Sequence, residues 1–149
     1  MGFCEKVDAT PDISECCQAG LRAIKGADRA KFACDDTRKI EGSVDIDMCV
    51  KERYPEENRW DYAVGYDGRV YFVEIHPADT SQIAVMINKL DWLKKWLKSQ
   101  NSPLRDGSAT FHWVASGSVH ITRGSSQAKR LAALGVRMWP KKNCKCNRE

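Results

Sequence analysis

Three residues, Asp61, Glu74 and His76, carry side chains that together could bind a cation and act on a phosphodiester. Glu74 and His76 lie two residues apart in an apolar segment, so on a strand they point to the same face. Asp61 begins the preceding apolar segment, and cross-strand neighbours come within about 5 Å of each other. Two carboxylates suit Mg²⁺ or Mn²⁺, and an imidazole favours Mn²⁺ or a later metal. Such a cation polarises a phosphoryl oxygen and lowers the pKa of a bound water.

The same three residues also have a purely structural interpretation. Asp61 could cap a loop at the edge of a strand. Glu74 and His76 could be solvated side chains on the polar face of a half-buried strand, with Val73 and Ile75 on its core face. The sequence leaves both interpretations open.

Further carboxylates could complete a cation site. Glu15, on a predicted first helix, could add a ligand, and Asp45 and Asp47 share the polar face of a predicted first strand. Each of the three is equally compatible with an exposed surface charge.

Two predicted strands, 60–66 and 69–75, position Asp61 and Glu74. Asp67-Gly68 between them is a strong tight-turn signal, so the two strands are expected to form a β-hairpin. Residues 40–50 alternate between apolar and polar side chains and predict an earlier strand.

The rest of the chain predicts helices alternating with strands. Helical spacing and capping residues predict helices at 10–26, 82–99 and about 125–134, with strands at 109–116 and 136–139. The expected fold is α/β, with a central mixed β-sheet of about four or five strands flanked by helices in the order α-β-β-β-α-β-α-β. We expect a single domain, 1–149, with flexible termini at 1–10 and 141–149.

This order and these residues resemble the core of the PD-(D/E)XK nuclease-like, or restriction endonuclease-like, superfamily. That family places an Asp at the start of its second strand and an acidic-x-Lys triplet on its third, followed by a long helix and a fourth strand. Asp61 matches the family Asp and Glu74 the acidic residue of the triplet, within a resemblance that covers residues 12–116. Trp60 stands where Pro is frequent, and His76 replaces the Lys.

The resemblance implies a metal-dependent nuclease in which Asp61, Glu74 and a first-helix carboxylate such as Glu15 hold Mg²⁺ or Mn²⁺. His76 could be a general base near neutral pH, although it supplies no fixed positive charge. In some relatives the working Lys comes from the long helix, and a Gln near its start contributes. Gln82 and Lys89, seven residues apart on one side of that helix, could fill these roles. Lys89 could instead extend to solvent beside the core.

The charge distribution is compatible with nucleic acid as a partner. Residues 1–80 hold 11 Lys or Arg and 17 Asp or Glu, a net charge of −6, whereas residues 81–149 hold 13 and 3, a net charge of +10. Basic side chains attract the phosphate backbone. Trp92 and Trp96, close to Lys94, Lys95 and Lys98 on the long helix, could stack on bases. The alternatives for the two Trp are a homo-oligomer interface and packing under the C-terminal segment.

Composition and cysteine spacing bear on the class of protein and on its location in the cell. Hydrophobic residues make up 42% and charged residues 30% of the chain, which is typical of a globular protein. No apolar run is long enough for a membrane span or a signal peptide, and the seven Cys are irregularly spaced. These features predict a cytoplasmic protein with reduced thiols and no membrane partner. The alternative to a nuclease is a catalytically inactive relative that binds nucleic acid or a protein, including an oligomer of itself.

Overall fold

A mixed sheet of five strands forms the centre of the protein in the computed structural model, which describes residues 1–31 and 36–139. The first three strands are antiparallel neighbours, and the fourth and fifth add to this sheet in parallel, in spatial order 1-2-3-4-5. The α/β class and the mixed sheet predicted from the sequence are confirmed. The strands are β1 (Ile40–Asp45), β2 (Tyr62–Tyr66), β3 (Arg69–Asp79), β4 (Thr110–His120) and β5 (Val136–Met138).

Five α-helices accompany the sheet within the described residues. Four of them pack on one face and build the larger core with it, while α2 and the residues before it lie by the other face, where Ile24 and Trp139 join a smaller core. No helix in residues 1–31 and 36–139 combines the length and apolar character that crossing a bilayer requires. The helices are α1 (Phe3–Asp8), α2 (Gly26–Arg29), α3 (Ile46–Val50), α4 (Ile83–Ser99) and α5 (Ser126–Ala133).

The predicted hairpin is confirmed and is formed by β2 and β3. Asp67 and Gly68 connect the strands with φ values of 50° and 80°. Two consecutive positive φ angles are typical of the tight turn whose twist matches a hairpin. The register pairs Tyr62 with Val73, so the residues that follow outward, Asp61 and Glu74, lie opposite each other.

The strand predicted at 40–50 is shorter in the structure. It ends at Asp45, whose Oδ1 accepts the N–H of Met48 at 2.9 Å and caps α3. Capping by an Asp favours helix formation over a continued strand, because it satisfies a backbone donor that the first turn leaves unpaired. Asp47 therefore lies on a helix, and the face that it was predicted to share with Asp45 does not exist.

The helix predicted at 10–26 is wrong. Only a single 3₁₀ turn, Pro11–Ile13, forms there. Glu15 then adopts a left-handed conformation with φ of 72°, which a continuing α-helix cannot accommodate. Gln18 instead exchanges backbone hydrogen bonds with Ser43 of β1, at 2.8 and 2.9 Å, so this segment runs along the edge of the sheet.

Helix α1 occupies residues that were predicted to be a flexible terminus. Its side chains Phe3 and Val7 are buried in the larger core. Phe3 packs so closely on β2 that a Cβ at Gly65 would lie 2.4 Å from its ring, which explains the glycine at that position. The other terminus predicted to be flexible, 141–149, lies outside the described residues.

Two disulfides, Cys4–Cys17 and Cys16–Cys49, join this N-terminal segment to itself and to α3. The expectation of reduced thiols is therefore wrong for these four cysteines. The remaining three, Cys34, Cys144 and Cys146, lie outside the described residues. Since disulfides are rare in reducing compartments, the cysteine argument for a cytoplasmic location no longer holds.

Removing the Cys16–Cys49 bridge is expected to lower the free energy of unfolding by about 4 kcal/mol, because a crosslink across 33 residues restricts the unfolded chain. Urea denaturation of a Cys16→Ala/Cys49→Ala variant under non-reducing conditions measures this. The variant Cys4→Ala/Cys17→Ala, with a separation of 13, is expected to lose about 3 kcal/mol. A wild type whose stability is unchanged by a reducing agent contradicts the prediction.

Candidate active site

Two hydrogen bonds at the open end of the hairpin join Asp61 to Glu74 and to the next residue, Ile75. The backbone N–H of Asp61 donates to Oε1 of Glu74 at 3.0 Å, and the N–H of Ile75 donates to Oδ2 of Asp61 at 3.0 Å. Each carboxylate is thus held by the backbone of the opposite strand. This brings the two predicted acidic residues together at one place.

The Glu74 side chain is buried on the face of the sheet that carries the larger core. Phe72, two residues earlier on β3, belongs to the larger core under the helices, whereas Val73 belongs to the smaller core on the other face. Glu74 therefore points under α4, and it is only 1% exposed. The interpretation of Glu74 as a solvated side chain is wrong, because both faces of this part of the sheet are covered.

Lys89 of α4 is the cationic partner of Glu74. Its Nζ lies 3.0 Å from Oε2 of Glu74 and also donates to the backbone carbonyl of Arg59 at 3.1 Å. The Lys89 side chain is 18% exposed, so its ammonium group is largely withdrawn from water. The alternative that Lys89 extends to solvent beside the core is wrong, since the side chain turns toward the sheet.

His76 lies beside this pair and is held by Gln82. Its Nε2 is 2.7 Å from Oε1 of Gln82, and its Nδ1 is 3.9 Å from Oε2 of Glu74. Gln82 and Glu74 therefore flank the two ring nitrogens of His76, one on each side of the imidazole. The indole of Trp113 donates to the backbone carbonyl of His76 at 3.0 Å and fixes the strand there. The His76 side chain is 20% exposed, so it connects the buried pair to solvent.

Burial and like charge perturb both carboxyl groups. Burial, with the Asp61 carboxylate as the second cause, raises the pKa of Glu74 to about 8. Burial also raises the pKa of Asp61, against a smaller opposing effect of the Ile75 hydrogen bond. Lys89 favours the charged form of both groups. Two desolvated acids that share one ammonium group would be stabilised in their charged forms by an added cation.

No match was found among protein-family models, curated proteins or solved structures. The resemblance to the PD-(D/E)XK superfamily therefore remains a prediction, and the site is interpreted from its geometry.

Asp61 and Glu74 are the two acidic side chains that meet at this site. In residues 1–31 and 36–139, no three His, Cys, Asp or Glu side chains converge as a metal site. Mg²⁺ is frequently held by one or two carboxylates, with water and substrate phosphates as the other ligands. At this site the two carboxylates are Asp61 and Glu74, and both oxygens of Glu74 already contact protein groups, Oε1 the N–H of Asp61 and Oε2 the ammonium of Lys89.

The other predicted carboxylates have different partners. Glu15 is exposed on its turn, where its N–H donates to Asp8 at 3.1 Å, and no contact within the described residues joins it to Asp61 or Glu74. Asp45 caps α3, and Asp47 binds Nε of Arg59 at 2.7 Å. None of these three is therefore retained as a metal ligand.

Arg59 is a site residue that the sequence did not indicate. Its side chain is anchored by Asp47, and its backbone carbonyl accepts from Lys89. The N–H groups of Ile46 and Asp47 in turn donate to the carbonyl of Asp61 at 2.8 and 3.3 Å. These bonds involve main-chain atoms, which leave no mark in the residue types, so α3 and the following loop could not have been assigned to the site from the sequence.

The three lysines of α4 that were predicted to form one basic surface, Lys94, Lys95 and Lys98, have different surroundings. Lys94 lies 5.3 Å above the ring of Phe111, whereas Lys95 pairs with Asp91 at 2.9 Å. Lys98 is exposed. Trp92 packs against Tyr54 in the loop before β2 and stacks on Trp96, so the described chain offers them partners other than the C-terminal segment.

Proposed function

We propose that the protein is a metal-dependent phosphodiesterase of the nuclease-like kind, in which Asp61 and Glu74 hold Mg²⁺ or Mn²⁺. The observation that carries the proposal is the buried Glu74 carboxyl group, which contacts the Asp61 backbone and the Lys89 ammonium. A buried ion pair beside a second acid contributes little net stability, and replacing both partners of such a pair by apolar side chains of similar volume is often neutral or stabilising. Perturbed, desolvated acids of this kind cluster at functional sites.

A bound cation would supply a Lewis acid for a phosphoryl oxygen and a more acidic water. Lys89 would supply the fixed positive charge that His76 cannot, in contact with an oxygen of the scissile phosphate. His76, with its ring held by Gln82, would accept a proton from the attacking water. In this proposal the two functions of the family Lys are divided between two residues.

The proposal extends to a restriction endonuclease-like fold and a nucleic-acid substrate. The order of three antiparallel strands, a long helix and a parallel fourth strand supports the fold. The net charge of +10 over residues 81–149 supports a polyanionic substrate. Lys94 and Lys98, both exposed on α4, are the proposed contacts to its backbone.

Replacing Lys89 by Met is expected to reduce cleavage about 10²-fold, because a preorganised charge at the reacting phosphate would be lost. Cleavage of single- and double-stranded DNA and RNA is measured with Mn²⁺, with Mg²⁺ and with a chelator. Lys51→Met, an exposed lysine at the end of α3, serves as the matched control and is expected to retain full activity.

The same assay separates the enzyme from its alternative. Salt-sensitive binding without cleavage by the wild type supports a catalytically inactive nucleic-acid-binding relative. An absence of both binding and cleavage, under conditions where the protein is folded, disproves the proposed substrate class.

A further inference from the structure

A groove separates the outer side of α4 from the loop that precedes β2. Its volume is about 540 Å³, which falls in the range of small-molecule sites. It lies along the helix beyond Lys89, and no residue of the Asp61–Glu74 pair lines it. Three aromatic, three acidic and three neutral polar side chains and one lysine line it: Tyr54, Trp92, Trp96, Glu56, Glu57, Asp91, Asn58, Asn88, Ser99 and Lys95.

The aromatic side chains form fixed walls. Trp92 and Trp96 stack with their centroids 5.4 Å apart and their planes within 9°, and the ring of Tyr54 stands at 77° to Trp92 with a centroid distance of 5.9 Å. Asp12 holds two of these rings from below, since it accepts from the Tyr54 hydroxyl at 2.6 Å and from Nε1 of Trp96 at 3.0 Å. The walls are thus positioned before any ligand arrives.

The charges around these walls are mainly negative. Glu57 accepts from Nε1 of Trp92 at 2.7 Å, so its carboxylate is fixed beside the ring, and Glu56 is exposed next to it. Asp91 is paired with Lys95, the only basic side chain among the described residues that line this groove. Three acids against one base repel phosphate groups, so this part of α4 is unsuited to the nucleic-acid backbone.

We propose that this groove binds a small organic cation of the quaternary ammonium class. Aromatic faces attract a cation through the ring quadrupole, most strongly when the cation is poorly hydrated. Methyl groups on nitrogen offer apolar contact to Tyr54 and Trp92, while Glu57 and Glu56 complement the charge. The proposal is independent of the activity assigned to Glu74 and Asp61.

Choline, titrated into the full-length protein, is the probe. The Nε1–H resonance of Trp92, identified by its loss in Trp92→Phe, is expected to shift on binding. The neutral isostere 3,3-dimethylbutan-1-ol has the same shape without the charge, so it is expected to bind about 10-fold more weakly.

Glu57→Gln tests the charge contribution directly. Glutamine retains an oxygen that accepts from Trp92, so the walls are preserved while the affinity for choline is expected to fall several-fold. The matched control Glu52→Gln, an exposed acid outside the groove, is expected to bind as the wild type does. Equal affinities for choline and its isostere overturn the proposal, as does the absence of any Trp92 shift at about 0.1 M choline.

Discussion

Replacing Glu74 by Gln is expected to reduce metal-dependent cleavage about 10³-fold or more while the protein remains folded. The carboxylate is one of two proposed cation ligands, and an amide oxygen carries no charge to hold the ion or to balance it. A loss of about 4 kcal/mol of transition-state stabilisation corresponds to this factor. The amide preserves shape and still accepts the N–H of Asp61, so the hairpin is expected to survive.

Glu52→Gln is the matched control for this substitution, because Glu52 is an exposed acid outside the site. Calorimetric titration with Mn²⁺ provides a second measurement that does not depend on turnover. We expect binding to be lost in Glu74→Gln and retained in Glu52→Gln. Full cleavage by a folded Glu74→Gln variant would show that any nuclease activity resides elsewhere.

The stability of the metal-free protein is expected to depend on pH through the same residue. The pKa of Glu74 is raised from 4.5 to about 8 in the folded state, so the folded chain holds this proton more tightly than the unfolded chain. The resulting stability is fully present below 4.5 and is lost as the pH rises through about 8. A pKa unit corresponds to about 1.4 kcal/mol, so the whole shift amounts to about 5 kcal/mol.

A comparison of wild type with Glu74→Gln isolates this effect, because Gln resembles the protonated acid at every pH. The two are expected to have similar free energies of unfolding below 4.5, and the variant is expected to be progressively more stable up to about pH 8. Urea denaturation across this range, in the presence of a chelator, measures the difference. A difference that does not change with pH would mean that Glu74 titrates normally in the folded protein.

The loss of cleavage and the gain in stability expected for Glu74→Gln have one physical cause. A charged group that is buried without full compensation weakens the fold, and it persists where its charge is used. The substitution that removes the charge is therefore expected to inactivate the protein and, above pH 4.5, to stabilise its metal-free form.

Local patterns in the sequence were sufficient to predict the helices and strands whose formation depends on short-range interactions. The β2–β3 hairpin follows from two apolar segments around Asp67-Gly68, and α4 follows from an apolar stripe that was predicted at 82–99 and observed at Ile83–Ser99. The helix predicted at about 125–134 is observed at Ser126–Ala133, and of the two candidate caps, Ser125 and Ser126, it is Ser125 that accepts the N–H of Ala128. Hairpin turns and helix caps are short-range interactions, so residue types and spacing encode them.

The N-terminal quarter shows where local patterns fail. Helical spacing predicted a helix at 10–26, but edge pairing of Gln18 with Ser43 and the two disulfides determine its path. These contacts join residues far apart in sequence, and cysteine spacing does not specify disulfide partners. The burial of Phe3 likewise depends on the space above Gly65.

The sequence by itself determined which acids could form a site, because the two-residue period of a strand and the hairpin turn bring Asp61 and Glu74 to one place. Only the tertiary structure decided that Glu74 is buried, that Lys89 reaches it and that Glu15 does not. The physical reason is that burial and charge pairing depend on which helix covers the sheet, and no short stretch of sequence contains that information.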